Sequence, residues 1–344
     1  MKRVIGVILA GIGAFLLVLA LLLKFVAVPK LAVAPLAPGT DGISTSTNVG
    51  VAAKLFYPGK LATGENPTRE NVPLKAVRTT RGDVLAATTP EAEAANLAIY
   101  DSFSNVTDDE GTTIDASTIR VAFNRFDSQL SNCCGVNVDG EKANFVGISP
   151  FKFPFYLEQK DYEWYDSGID KTATAKFVGT DTIDGFEMYK FEQIIAPYQS
   201  GELEVPGSLV GSTEASFKAN RFAEAKTLIW VEPTTGQIVK GEQRQHQYLA
   251  GTDGTTEALT IIDATFTADP REVSETAASA NTNGNLLKTL GNTVPLVGGI
   301  LGIIALILGF FLATRPKEGE GEGEGDVAST PPPATSGNVN LSNS

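Results

Sequence analysis

The residues with the sharpest chemistry are two adjacent cysteines, Cys133-Cys134, which are the only cysteines in the chain. In an oxidising exterior a free pair this close does not persist, so a disulfide between them is expected. It would close a strained ring in a tight turn, which Asn132 and Gly135 suit. The open alternatives are a structural staple, a link to another chain, or a reducible switch. The single histidine, His246, stands in the polar run Gln243 to Gln247. One imidazole excludes a histidine-built metal site, and a Ser-His-Asp triad would need this residue, yet no Gly-x-Ser-x-Gly elbow accompanies it. No Walker loop or Rossmann fingerprint occurs, so no cofactor is implied. Acid-rich turns at Asp108-Asp109-Glu110 and at Asp181 with Asp184 could offer oxygen ligands, but their spacing fits no EF-hand loop. The sequence therefore assigns no catalytic, cofactor-binding or metal residue, and it predicts a protein that is not an enzyme.

A stripe of aromatic residues remains: Phe151, Phe153, Phe155, Tyr156, Tyr162, Trp164 and Tyr165. At strand spacing, Phe151, Phe153 and Phe155 would share one face. They would either pack a core or, with Trp164, form an apolar ligand surface for a lipid-like molecule inside a curved sheet.

The elements that must position these residues are mostly strands. Leu74 to Thr80, Leu97 to Phe103 and Thr118 to Phe123 alternate apolar and polar residues, with a turn expected at Arg81-Gly82-Asp83. Between Phe151 and Gln193, Asp184-Gly185 sits among strand-like residues, a hairpin cue. Leu228 to Glu232, Pro233-Thr234-Thr235-Gly236 and Gln237 to Lys240 read as strand, turn, strand. Ala258 to Phe266 is a further strand. Trp164 and Trp230 each precede by two residues an acid that opens a turn, an internal echo. Pro90 to Ala98 and Arg271 to Leu290 read as helix, the latter running into an apolar segment. The expected fold class is mainly β (α+β): short, evenly spaced strands in a curved antiparallel sheet or half-barrel.

Two apolar segments bracket these strands, residues 4–23 and 294–313, and each is long enough to cross a bilayer. The first is too long for a signal-peptide core and reads as a retained anchor. Gly298 and Gly302 have a small-xxx-small spacing suited to close helix contact, within the chain or in a homo-oligomer. Residues 1–3 and 314–344 would be cytoplasmic, the latter a disordered acidic tail, and 31–285 would form an extracytoplasmic domain. The chain carries a net −13, and the central domain about −15, which argues against nucleic acid and against lying flat on anionic lipid.

Several of these residues carry a resemblance. Arg3-Val4-Ile5-Gly6, Lys152-Phe153-Pro154-Phe155, Tyr162 to Asp166, Asp184-Gly185 to Tyr189-Lys190-Phe191 and Trp230 to Gly236 resemble a family of actinobacterial membrane proteins of unknown function labelled the porin PorA family. The resemblance covers nearly the whole chain, and Asn124-Arg125-Phe126-Asp127 departs from it. It brings no established catalytic residues and implies a channel-forming protein. The residues themselves point first to a plasma-membrane protein with two bilayer-spanning helices, whose outer domain binds an envelope lipid, polymer or protein. A carboxylate-dependent envelope glycan hydrolase is the third reading.

Overall fold

A computed structural model describes residues 2–39 and 41–314; of the expected acidic tail, 314–344, Thr314 ends a helix and the rest lies outside the described residues. The chain divides into two compact units, one of residues 1–17 with 300–344 and one of Val18–Gly299. Two long helices, Arg3–Leu31 and Pro270–Thr314, are apolar and long enough to cross a membrane.

In the first unit the helices touch backbone to backbone. A Cβ on Gly309 would lie 2.5 Å from Ala10 N and 2.7 Å from Gly6 O, and one on Gly13 would lie 2.7 Å from Gly302 O. Only glycine permits such an approach. Gly302 thus makes its contact within the chain, whereas Gly298 meets nothing within 4 Å.

The helices extend past the expected spans, and each carries a π-helical turn, Leu23–Ala27 and Thr289–Thr293. Each turn lies just ahead of a proline, Pro29 or Pro295. A proline ring clashes with the carbonyl four residues back, here Phe25 and Gly291 at the centres of the two turns. The wider turn relieves that clash: Val28 N–H donates to Leu23 O, and Val294 N–H to Thr289 O.

The second unit is built on one antiparallel sheet of 13 strands. The N-terminal half contributes β1 (Ile43–Phe56), β2 (Thr68–Gly82), β3 (Leu97–Asp108) and β4 (Thr113–Asn124), with three two-residue strands, β5 (Leu130–Ser131), β6 (Asn137–Val138) and β7 (Glu141–Lys142). The C-terminal half contributes β8 (Tyr162–Asp166), β9 (Lys171–Ile183), β10 (Phe186–Pro206), β11 (Ser216–Val231), β12 (Ile238–Ala250) and β13 (Glu257–Ala268). Their order is β7-β6-β4-β3-β2-β1-β13-β12-β11-β10-β9-β8, with β5 paired on β4. Each half is a meander, and β1 pairs with β13 in the middle.

The fold class is as the sequence indicates, and the Asp184-Gly185 hairpin forms with both residues at positive φ. Three expectations need correction. The principal strands are long, β10 running for 21 residues with register shifts near Ile195 and Gln199; polar residues on both faces hide such strands from a search for alternation. Arg81 and Gly82 end β2 instead of turning, and Asp83 caps the short helix Val84–Ala87. The Ala-, Pro-, Gly- and Thr-rich stretch Leu31 to Thr47 reads as an extended lead from the first helix, but its residues 43–47 belong to β1.

Asp269 caps the C-terminal helix by accepting from Arg271 N and Glu272 N, and Glu272 Oε2 accepts from Thr47 N at 2.7 Å, tying that helix to β1. Farther along, Gly284 lies over buried Glu232, whose carboxylate accepts from Thr234 N, Thr235 N and Thr235 Oγ1.

Two substitutions test these contacts. Gly284→Ala would gain about 0.5–1 kcal/mol in a free helix, but its Cβ would meet Glu232 Oε1 at 2.6 Å. It should instead lower stability by about 1–3 kcal/mol in thermal unfolding. Gly309→Leu should force the first unit's helices apart, read as a longer distance between spin labels on them.

Candidate ligand cavity

The sheet curves around a cavity of about 1490 Å³. Its two edges are joined at one place by the loop between β7 and β8. Leu130 N–H donates to Gly147 O, Ile148 N–H to Glu163 O and Tyr165 N–H to Ile148 O, so Ile148 bridges toward both edges. Gly147 has φ +88°, and a Cβ there would sit 2.2 Å from Glu163 O, so this closure requires glycine.

The cavity wall is polar over the strands. Inward positions of β1, β2, β3 and β12 supply Ser46, Thr80, Ser102, Ser104, Gln243 and Gln245. Thr80 and Ser102 share a hydrogen bond of 3.0 Å across the β2–β3 pair. The wall turns apolar near the two long helices, with Leu31, Val33, Phe155, Leu286, Leu287 and Leu290. Hydrophobic packing is spread through several small clusters along the sheet and not collected at its centre, which is why the concavity stays hollow.

One polar network crosses the cavity. Asp166, at the end of β8, is 3% exposed and accepts from Gly168 N at 2.8 Å, Thr227 Oγ1 at 3.1 Å and Gln243 Nε2 at 2.5 Å. Burial pushes its carboxyl up, against these bonds and the nearby Arg78 charge. Arg78 on β2 reaches across to donate to Ser167 Oγ at 2.9 Å. Lys152 also lines the cavity. Its ammonium donates to Phe153 O at 2.5 Å and lies 4.0 Å from the centre of the Phe155 ring. Burial lowers it to about 7, with Asp127 opposing the shift.

The aromatic stripe is not one face. Residues 151–155 form an irregular loop, because Pro154 has no N–H for a ladder and only Lys152 makes a bridge, to Gln237. Phe151 packs on Tyr100 and Phe123. Phe153 is 0% exposed, among Trp164 and Phe191. Phe155 joins Ala32 and Leu287. Phe151, Phe155 and Trp164 reach the cavity wall, and Trp164 brings an indole N–H with no partner. Cys133 and Cys134 are bonded to each other in a turn away from the cavity, with Cys134 and Gly135 at positive φ. Arg120 Nε donates to Cys134 O at 3.0 Å while its NH groups bind Asp83 and Asp101. His246, on the opposite face of the sheet, lies between Glu224 and Glu257. Among the described residues no group of three or more His, Cys, Asp or Glu could hold a metal ion.

Reading the sequence did not single out Arg78 or Ser104. A signal for Arg78 was present: it shares the parity of Leu74 and Ala76, the inward one of β2.

The Porin PorA family model matches residues 5–311. The chain belongs to the Porin PorA family. Two relatives named Porin PorA span it almost fully. That of Corynebacterium resistens is 23% identical, covering 92% of this chain and 98% of its own. That of Corynebacterium amycolatum is 25% identical, covering 92% and 100%. A solved exported protein of Bacteroides fragilis, described as having a YmcC-like fold, is 10% identical over 65% of this chain and 93% of its own, with a TM-score of 0.20. Family membership and two apolar helices make this a membrane protein of the cell envelope.

Lys152 sets a pH dependence. Its folded value lies below its ordinary 10.5, so between about pH 7 and 10 the unfolded chain holds the extra proton and stability rises with pH; below 7 both states are charged and the penalty is constant. Lys152→Met should be more stable than wild type at pH 7, by about 1–3 kcal/mol, and should lose most of that advantage by about pH 10 in urea unfolding.

Proposed function

We propose that the protein is a non-enzymatic, two-pass plasma-membrane protein with both termini in the cytoplasm. Residues 31–285 form the extracytoplasmic domain, which holds an envelope lipid, or another amphiphilic envelope component, in its cavity. The carrying observation is the division of the cavity wall. The hydroxyl and amide groups of Ser46, Ser102, Thr80 and Gln243 face one part, and Leu31, Phe155, Leu287 and Leu290 face another. A polar head and an acyl chain need those two surfaces. Phe151, Phe155 and Trp164 supply the apolar and aromatic contacts, and Phe153 supports them from the core.

The name of the family favours a channel. Against a lipid-facing barrel stands the outer face of β10 to β13, which carries the ion pairs Lys226–Glu192 and Arg244–Asp263 and the hydrogen bond between His246 and Glu224. A bilayer-facing strand carries an apolar belt there.

Native mass spectrometry of the detergent-extracted protein tests the reading. A lipid of defined mass should co-purify and be lost from Ser104→Trp, which fills the cavity. An empty wild-type protein would sink the proposal, and stepwise conductance in a planar bilayer would favour the channel instead.

A further inference from the structure

Arg78 is the one charged residue in its cross-strand row. Register pairs it with Ser46 on β1 and Ser104 on β3, and Ser104 pairs in turn with Ser117 on β4. All four face the cavity. The guanidinium carries five N–H donors. One of its nitrogens donates to Ser167 Oγ, and among the described residues no carboxylate comes within 4.0 Å of it. Asp166, the acid that acts on it electrostatically, has both its oxygens engaged by Gly168, Thr227 and Gln243. Burial pulls the guanidinium below its usual value, and the Asp166 charge opposes the shift.

A strut that only closed the sheet would use its donors on protein acceptors. Here one nitrogen is used on Ser167 Oγ, and Ser46 and Ser104 flank Arg78 along the cavity wall. Arginine with flanking hydroxyl donors matches a tetrahedral oxyanion: the fork can engage two oxygens, and the serines can donate to a third. A carbohydrate head without charge would leave the guanidinium unpaired.

We infer that Arg78, Ser46, Ser104 and Ser167 form a binding site for the phosphate group of an anionic ligand in the cavity. Resting on the amphiphile reading above, it names the head of that ligand as a phosphate ester. Free phosphate has the same chemistry and is the other source.

The test uses the full chain in neutral detergent and three probes: dihexanoyl phosphatidic acid, dihexanoylglycerol and inorganic phosphate, each titrated by calorimetry. Phosphatidic acid should bind about tenfold or more tighter than the diacylglycerol. Arg78→Gln should reduce that ratio to about twofold or less while leaving diacylglycerol affinity unchanged. Ser104→Asp, which sets a carboxylate beside Arg78 and keeps the arginine, should do the same, and it serves if Arg78→Gln fails to fold. Equal binding of the two lipids by wild type, or a ratio that survives both variants, overturns the site. Inorganic phosphate bound by wild type and not by Arg78→Gln supports the site even if neither lipid binds, and then the amphiphile reading alone fails. If no probe binds, both fail.

Discussion

The pairing of β1 with β13 is the constraint on which the rest of the domain depends. Asn48 faces Ala268 and Lys54 faces Asp263 across it. Because the first and last strands meet in the middle of the sheet, each half can run outward as a simple meander of neighbours. Such connections are short and local, which keeps the loop-closure cost of a large sheet low. The same pairing brings the chain's entry and exit together, so a domain held by two helices need not cross its own surface to reach the second. Glu272 on Thr47 N and Gly284 over Glu232 lock the returning helix onto the strands it has just left.

The outward growth of the two halves leaves two distant edges. An unpaired edge is a liability, and here the loop between β7 and β8 covers both at one level through Ile148. Closure at one place, with hydrophobic packing held in small clusters along the strands, yields a hollow interior. A sheet packed on a second layer would have filled that space with large apolar side chains. Serines, threonines and glutamines occupy it instead, and they are tolerated there because the space is open to water or to a ligand.

Much of the fold was legible. The bracketing helices, the Asp184-Gly185 hairpin, the strand pair around Pro233 to Gly236 and the helix from Arg271 onward follow from local pattern. The echo between Trp164 and Trp230 also has a structural counterpart, since Asp166 and Glu232 are both buried and both accept from turn N–H groups. The candidate site was far less legible. The Phe151 to Phe155 stripe looked like one strand face, but Pro154 breaks the ladder and sends the three rings to different clusters. Arg78 shares the parity of Leu74 and Ala76, so its face of the strand could be read. That this face opens on a cavity and not on packed side chains depends on how the whole sheet curves, and no local pattern carries that.

By itself, then, the sequence determined the apolar spans, the kind of element between them and most of the turns, because these depend on residues close along the chain. It also determined where the helices widen into π-helical turns, since Pro29 and Pro295 act on carbonyls one turn back. The tertiary structure alone decided which strands meet, that β1 and β13 are neighbours, and that Arg78 and Ser167 face each other over a cavity. Those contacts join residues far apart in sequence, and sheet curvature is a property of all the strands together. The physical reason is the same in each case: short-range sterics and hydrogen bonding write themselves into adjacent residues, whereas burial and facing are settled only when the whole sheet has closed.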